Sequence, residues 1–383
     1  RVDRRQRQMC IRDRYKTVEM NNQSRPITNP TLPRKMLNKF NKERYDSLDG
    51  LRAYAAVGIV LMHILSNITL KPSENYLTLK LIPFFTDFTL LFMIVSGFSL
   101  CCGYYERFKK GTITPNSFYK KRYARILPYF ACLCLLDLVM NPSRGAFFET
   151  FANLTLCFNL LPNPHITVIG VGWFLGVVFV FYLLFPFFVF MMDNKRRAWL
   201  SMLIALGFVW VAMLYFYTPE FVDKSPGRTN FIYCAPLFLS GGIGYLYRKS
   251  IYQWGGKHSS LCVVLAVLLT VAFFMFGLRV KNDFVHYVIE SGMFVAWLLY
   301  AIGSKNAILN NRVARYISNI SIEIYLAHMV IFRVVEKVHI ERFISQPDMN
   351  YIVTCIIVLG GVVCFAHIMK YYVLQRVVNW MEK

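Results

Sequence analysis

Charge is scarce in this chain. Only 17 % of its 383 residues are Asp, Glu, Lys or Arg, where a soluble domain carries about a quarter, which excludes an ordinary water-soluble globule. Acidic residues are scarcer still, 21 against 43 basic ones, for a formal net charge of +22. No basic stripe interleaved with base-stacking aromatics occurs outside the apolar segments, so the charge does not imply nucleic acid. Neither Cys-x-x-Cys nor His-Glu-x-x-His spacing is present, and no metal site is expected. Most of the ten cysteines lie inside apolar runs, and Cys132 and Cys134 fall on different sides of a helix; they read as small core hydrophobes. The pair Gly170 and Gly172 has no strand before it and is not a dinucleotide fingerprint. An internal repeat is missing too, and with it the inverted-repeat signature of many secondary transporters.

What the chain does have is length in its apolar runs. Hydrophobic residues make up 56 % and aromatics 16 %, and several segments reach the ~20 apolar residues that cross a bilayer. The expectation is an all-α polytopic membrane protein of about ten spans: 51–67, 84–104, 126–140, 170–192, 198–217, 230–247, 260–278, 284–302, 316–335 and 352–374. The third is short for a bilayer, and 146–161 reads as a partial or re-entrant segment. Residues 1–44 are polar and basic and are expected to be disordered; roughly the first fifteen resemble translated adapter sequence and carry no functional weight. The membrane unit is expected to occupy 45–383, with no extracytoplasmic domain after the last span. Thirteen Lys/Arg precede the first span and seven follow the second. The alternation continues along the chain, so both termini are expected to be cytoplasmic.

Three stretches carry candidate chemistry. In the first span, Arg52 and His63 are eleven residues apart, which returns a helix to within ~20° of its starting direction. They share one face about 16 Å apart along the axis. Ionisable groups at such depth are costly and mark functional paths. Neutral imidazole can take a hydroxyl proton or be acylated, so His63 is the candidate catalytic residue with Arg52 beside it; a packing histidine bonded to another span is the alternative. In Lys120-Lys121-Arg122-Tyr123-Ala124-Arg125, the guanidiniums of Arg122 and Arg125 share a helix face at the mouth of a span. Such a pair suits a polyphosphate such as that of acyl-CoA. An ordinary positive-inside loop is the alternative. In the ninth span Ser321, Tyr325 and His328 follow i, i+4, i+7 and form one polar stripe, either lining a substrate path or hydrogen-bonding between helices. Glu323 points elsewhere and needs a partner. Trp173 at a span boundary is an interfacial anchor or a sugar-stacking platform. His286 and Glu290, one turn apart, read as a structural pair, and Ser96-Gly97 and Ser240-Gly-Gly-Ile-Gly244 as close-packing sites.

Taken in order, Leu48-Asp49-Gly50-Leu51-Arg52-Ala53 through His63, Phe92-Met-Ile-Val-Ser96-Gly97-Phe98, Arg122-x-x-Arg125-Ile126-x-Pro128-Tyr129 and Ile324-Tyr325-Leu326-x-His328 resemble the membrane-bound acyltransferase family 3. Members of that family O-acylate sugars and carbohydrate polymers. The resemblance covers about 45 to the C-terminus. The chain departs from it at Ser321-Ile322-Glu323, where members often read Ser-Tyr-Ser. The resemblance implies an O-acyltransferase of the cell (inner or plasma) membrane with no bound cofactor, using acyl-CoA, acetyl-CoA above all, as co-substrate. Arg122 and Arg125 would bind the donor, Arg52 and His63 would act at the reacting centre, and Ser321, Tyr325, His328 and Trp173 would line the substrate path. Its partners would be a carbohydrate acceptor, the lipid bilayer, and either no further protein or a separate extracytoplasmic transferase or polysaccharide-synthesis machinery. A transporter of a small organic acid or lipid-linked sugar, or a membrane scaffold, are the competing readings.

Overall fold

A computed structural model of the chain describes residues 45–161, 166–216, 218 and 227–376. The expected disordered segment 1–44 lies outside them. The regular elements among the described residues are all helices, with no strand among them. The helices are α1 (Ser47–Asn67), α2 (Phe88–Lys109), α3 (Pro115–Met140), α4 (Arg144–Leu154), α5 (Trp173–Met191), α6 (Lys195–Val211), α7 (Phe231–Lys257), α8 (Ser259–Met275), α9 (Asp283–Gly303), α10 (Arg312–Asn319), α11 (Ser321–Glu336) and α12 (Pro347–Ile368). Eight helices among the described residues are long and apolar enough to cross a membrane, and a ninth span is possible if α10 and α11, bent by 70°, count as one. The protein is an all-α, multi-pass membrane protein. The expected span not among these, 230–247, corresponds to α7, which at 27 residues is long enough but is diluted by glycines, tyrosines and Ser240.

Local chemistry sets the helix ends. Helix α1 carries Asp49 in its first turn, where a carboxylate complements the positive end of the helix dipole. At its other end Lys71 Nζ reaches the Leu65 and Ser66 carbonyls at 2.9 and 2.8 Å, satisfying two acceptors the helix leaves open. Thr114 Oγ1 accepts from the Ser117 amide at 3.2 Å and Pro115 occupies the first turn of α3. That start lies well before the expected 126, so the short third span is a full 26-residue helix containing Lys120 through Arg125. Asn194, Asn282 and Asn311 cap α6, α9 and α10 in the same way. The expected partial segment 146–161 is the short helix α4, followed by a 3-10 turn, Phe158–Leu160.

Small residues let the helices that carry the site approach closely. A Cβ on Gly241 of α7 would strike the Ile94 carbonyl and Phe98 amide of α2 and come within 3.1 Å of the Gly97 carbonyl carbon. Gly97 in turn lies against the Phe238 backbone. The two close-packing motifs read from the sequence are therefore one backbone contact, the small-residue association that serves where lipid removes the hydrophobic drive between helices. In α1, Ala53, Ala55 and Ala56 are buried, and Gly58 leaves room for the Phe88 ring. This places α1 inside the bundle, against α2, α9, α10, α11 and α12.

The ninth expected span is broken at Ile320, and the break has its own chemistry. A bend frees carbonyls that water cannot satisfy at membrane depth. Ser321 Oγ donates to the Ser318 carbonyl at 2.9 Å, and the Lys370 ammonium donates to the Asn319 carbonyl. Lys370 also lies 3.2 Å from Glu323 Oε1, which supplies the partner that Glu323 requires. A second ion pair, Arg333 to Asp137 at 2.8 Å, ties α11 to α3. Nine cysteines fall among the described residues and all are free; Cys134 is buried and Cys132 exposed, as the helix phase predicts.

Candidate active site

Two ends of α1 carry two different environments. At the first, Arg52 Nη2 donates to Ser99 Oγ of α2 at 2.5 Å, while Nη1 stands 3.8 Å from Asp49 Oδ1. That carboxylate oxygen accepts a hydrogen bond from Ser318 Oγ at 2.8 Å, linking the opening motif to the helix break. Arg125 of α3 lies close enough to act electrostatically on Arg52, and it is exposed. Arg122 is more confined. Its Nη2 donates to Tyr104 Oη at 2.5 Å, its guanidinium lies 4.7 Å from the Tyr104 ring centroid and 5.6 Å from that of Tyr182, and its buried Nε has no hydrogen-bond partner. The aromatic box fixes one cation, and the other stays open to an anionic ligand.

At the other end, the His63 ring faces His328 of α11 with centroids 4.9 Å apart and planes inclined by 42°. His328 is 1 % exposed. Its Nδ1 lies 2.6 Å from the Tyr325 carbonyl, and since a carbonyl only accepts, Nδ1 carries the proton. Its Nε2 is buried with no hydrogen-bond partner. Tyr325, 6 % exposed, donates its hydroxyl to the Val171 carbonyl at 2.8 Å and so pins the Gly170–Gly172 turn to α11. The Phe174 and Phe92 rings stand 5.5 and 6.5 Å from Tyr325. Trp173 meets Phe174 edge-on at 5.9 Å and is partly exposed.

A family model described as an acyltransferase domain matches residues 45–369. The chain belongs to the acyltransferase family 3. A protein of Rhizobium radiobacter described as "Protein 2 in picA locus" is 36 % identical over 153 residues, covering 34 % of this chain and 75 % of that relative. No solved structure matches. As a member of acyltransferase family 3, the protein is a membrane acyltransferase.

The acyltransferase brings the sequence-predicted residues into two groups. Arg52 and Arg125 act on each other near the start of α1, with Arg122 held in the Tyr104–Tyr182 box. His63, His328 and Tyr325 meet at its end, where Trp173 connects through Phe174. Ser321 stands apart from both, with its hydroxyl committed to the Ser318 carbonyl at the helix break.

One residue at the His63 end was not picked out from the sequence. Arg228, in the turn Gly227–Thr229, acts electrostatically on both His63 and Tyr325. It donates to Thr86 Oγ1 at 2.9 Å and pairs with Asp87 Oδ1 at 2.8 Å. Asp87 adjoins Glu290 of α9, whose Oε2 is 4.0 Å from His286 Nε2. The result is a polar chain of Arg228, Asp87, Glu290 and His286 running away from His63. The signal was available: Asp87 and Glu290 sit in separate apolar segments without a cation in either, and an intramembrane carboxylate needs one.

Proposed function

We propose that this acyltransferase is an O-acyltransferase of the cell membrane. It takes an acyl group, in the simplest case acetyl, from acyl-CoA on the cytosolic side and passes it to a hydroxyl of a cell-surface or exopolysaccharide sugar. The observation that carries this reading is the division of α1 between a cationic end and an imidazole end. Arg52 beside the exposed Arg125 suits a phosphate-bearing donor, and His63 beside His328 suits proton removal from a hydroxyl. The Lys/Arg bias of the sequence supports placing the Arg52 end at the cytosol.

In the reaction the neutral His63 accepts the proton of the acceptor hydroxyl, and the oxygen attacks the thioester carbonyl carbon. The carbon–sulfur bond breaks and the coenzyme A thiolate takes up the proton, leaving an ester and free thiol. Arg52 orients the donor and the open Arg125 holds its phosphates, while Arg122, fixed by Tyr104 and Tyr182, adds its positive charge to the donor side. No metal and no resident cofactor enters this scheme; acyl-CoA is consumed as co-substrate. Tyr325 and Trp173 would shape the acceptor side, and the bilayer and a carbohydrate polymer would be the partners, with a separate extracytoplasmic transferase needed only if the ester is relayed onward.

Mass spectrometry of surface glycans from cells with and without the gene tests the reading. Loss of O-acyl groups on deletion, restored by the gene, is the expected result. Unchanged acylation with impaired export of the glycan would contradict it and favour a transporter.

A further inference from the structure

In the His63–His328 pair, a backbone carbonyl sets the tautomer of one ring. With Nδ1–H committed to the Tyr325 carbonyl, His328 keeps a lone pair on Nε2 and no proton there. That nitrogen is buried and has no hydrogen-bond partner. An unsatisfied acceptor at such depth is costly unless a donor reaches it in some state of the cycle. The neighbouring ring able to donate is His63. No N–H···N bond joins the two rings in this arrangement, but their centroids stand 4.9 Å apart, close to the roughly 5 Å of two imidazoles that share one, so a rotation of the His63 ring brings its N–H to Nε2.

We propose that His328 is the positioning residue of the acyl-transfer reaction: its Nε2 accepts the N–H of His63 and so fixes His63 in the tautomer whose other nitrogen presents a lone pair to the acceptor hydroxyl. The order is Tyr325 carbonyl, His328 Nδ1–H, His328 Nε2, His63 N–H, His63 lone pair, hydroxyl. When His63 takes the hydroxyl proton, the imidazolium keeps its bond to Nε2. The positive charge is thereby stabilised as it forms, without a second proton transfer. His328 itself never touches the substrate. Tyr325 takes part twice, since its carbonyl sets the His328 tautomer and its hydroxyl anchors the α11 face to the Val171 carbonyl. This inference rests on the acyl-transfer reading and adds a role within it.

The test uses the full-length protein in phospholipid vesicles and three substitutions of different shape. His328→Gln places an amide oxygen near the position of Nε2, His328→Asn reaches only the Nδ1 position, and His328→Phe keeps the ring volume without a nitrogen. Transfer from labelled acetyl-CoA to isolated surface glycan gives kcat and KM. The expected result is a fall in kcat on the order of 10²-fold for His328→Asn and His328→Phe, with His328→Gln within about tenfold of wild type. KM for acetyl-CoA should stay level in all three. A second readout needs no transfer at all: the rate at which diethyl pyrocarbonate modifies His63, followed by peptide mass spectrometry. It should slow at least about tenfold in His328→Asn and His328→Phe and recover in His328→Gln. Wild-type kcat in His328→Phe, or equal losses in the Asn and Gln variants, would overturn the proposal and leave His328 a packing residue. Full activity in His63→Ala would instead overturn the transfer mechanism on which it rests.

Discussion

Ser318 donates its hydroxyl proton to Asp49 Oδ1 at 2.8 Å across 269 residues of sequence, joining the first turn of α1 to the bend between α10 and α11. The same oxygen is the carboxylate atom nearest Arg52 in this arrangement, at 3.8 Å. One short acidic side chain thus holds both the guanidinium proposed to orient the donor and the break that aims α11, with His328 two turns further on. Position at one end of the site and geometry at the other are coupled through it.

Replacing Asp49 by Asn keeps the shape and the acceptor for Ser318 but removes the charge facing Arg52. The expected outcome is a rise in KM for acetyl-CoA of roughly tenfold with little change in thermal stability, since an ion pair of this length contributes only about 1 kcal/mol. Ser318→Ala should instead lower stability by about 1 kcal/mol and leave KM unchanged. Steady-state kinetics and unfolding in detergent separate the two.

Lys370 serves both Glu323 and the Asn319 carbonyl, so its loss leaves two groups without a partner. Lys370→Met should destabilise the protein by about 3 kcal/mol, and the double variant with Glu323→Gln by distinctly less, because the uncompensated charge has gone. Equal destabilisation in the single and double variants would show that the pair is not what holds the bend.

Arg228 balances Asp87 close to a second carboxylate, Glu290. Removing the cation leaves two carboxylates together at low exposure, so Arg228→Met should impair both stability and transfer, by several kcal/mol in the first case. Combining it with Asp87→Asn should restore stability without restoring full activity if the Arg228 field also acts on His63. Thermal unfolding and transfer assays on the single and double variants test both halves.

The contact of α2 with α7 leaves no space for a side chain. Gly241→Val should abolish stable insertion or folding, since its Cβ would meet backbone atoms that cannot move aside. Gly170→Ala, with nothing within 4 Å of the added carbon, should be nearly silent. Expression level and detergent-phase monodispersity report the difference.

Much of this arrangement could be read from the chain because it rests on periodicity. Arg52 and His63 share a helix face by simple phase, and the small residues of α1, α2 and α7 announce close approach before any partner is known. The break at Ile320 was not legible, since Ser318 to Tyr325 reads as continuous helix. Only the ligation of its freed carbonyls by Ser321 and by the distant Lys370 makes the bend tolerable in the bundle. The partner of Glu323 was hidden for the same reason, 47 residues away on another helix. The early start of α3 was obscured by its charges, which suggested a loop where Thr114 and Pro115 open a helix. Trp173 illustrates a different limit: its boundary position was clear, but its connection to His328 runs through Phe174 and Tyr325, a chain of contacts between α5 and α11 that no local pattern encodes.

The most direct test of the central claim is transfer of labelled acetyl groups from acetyl-CoA to surface glycan by purified protein in vesicles, wild type against His63→Ala. The account predicts ester formation by the wild type and none above background in the variant, with both equally folded. Wild-type transfer by His63→Ala would contradict it.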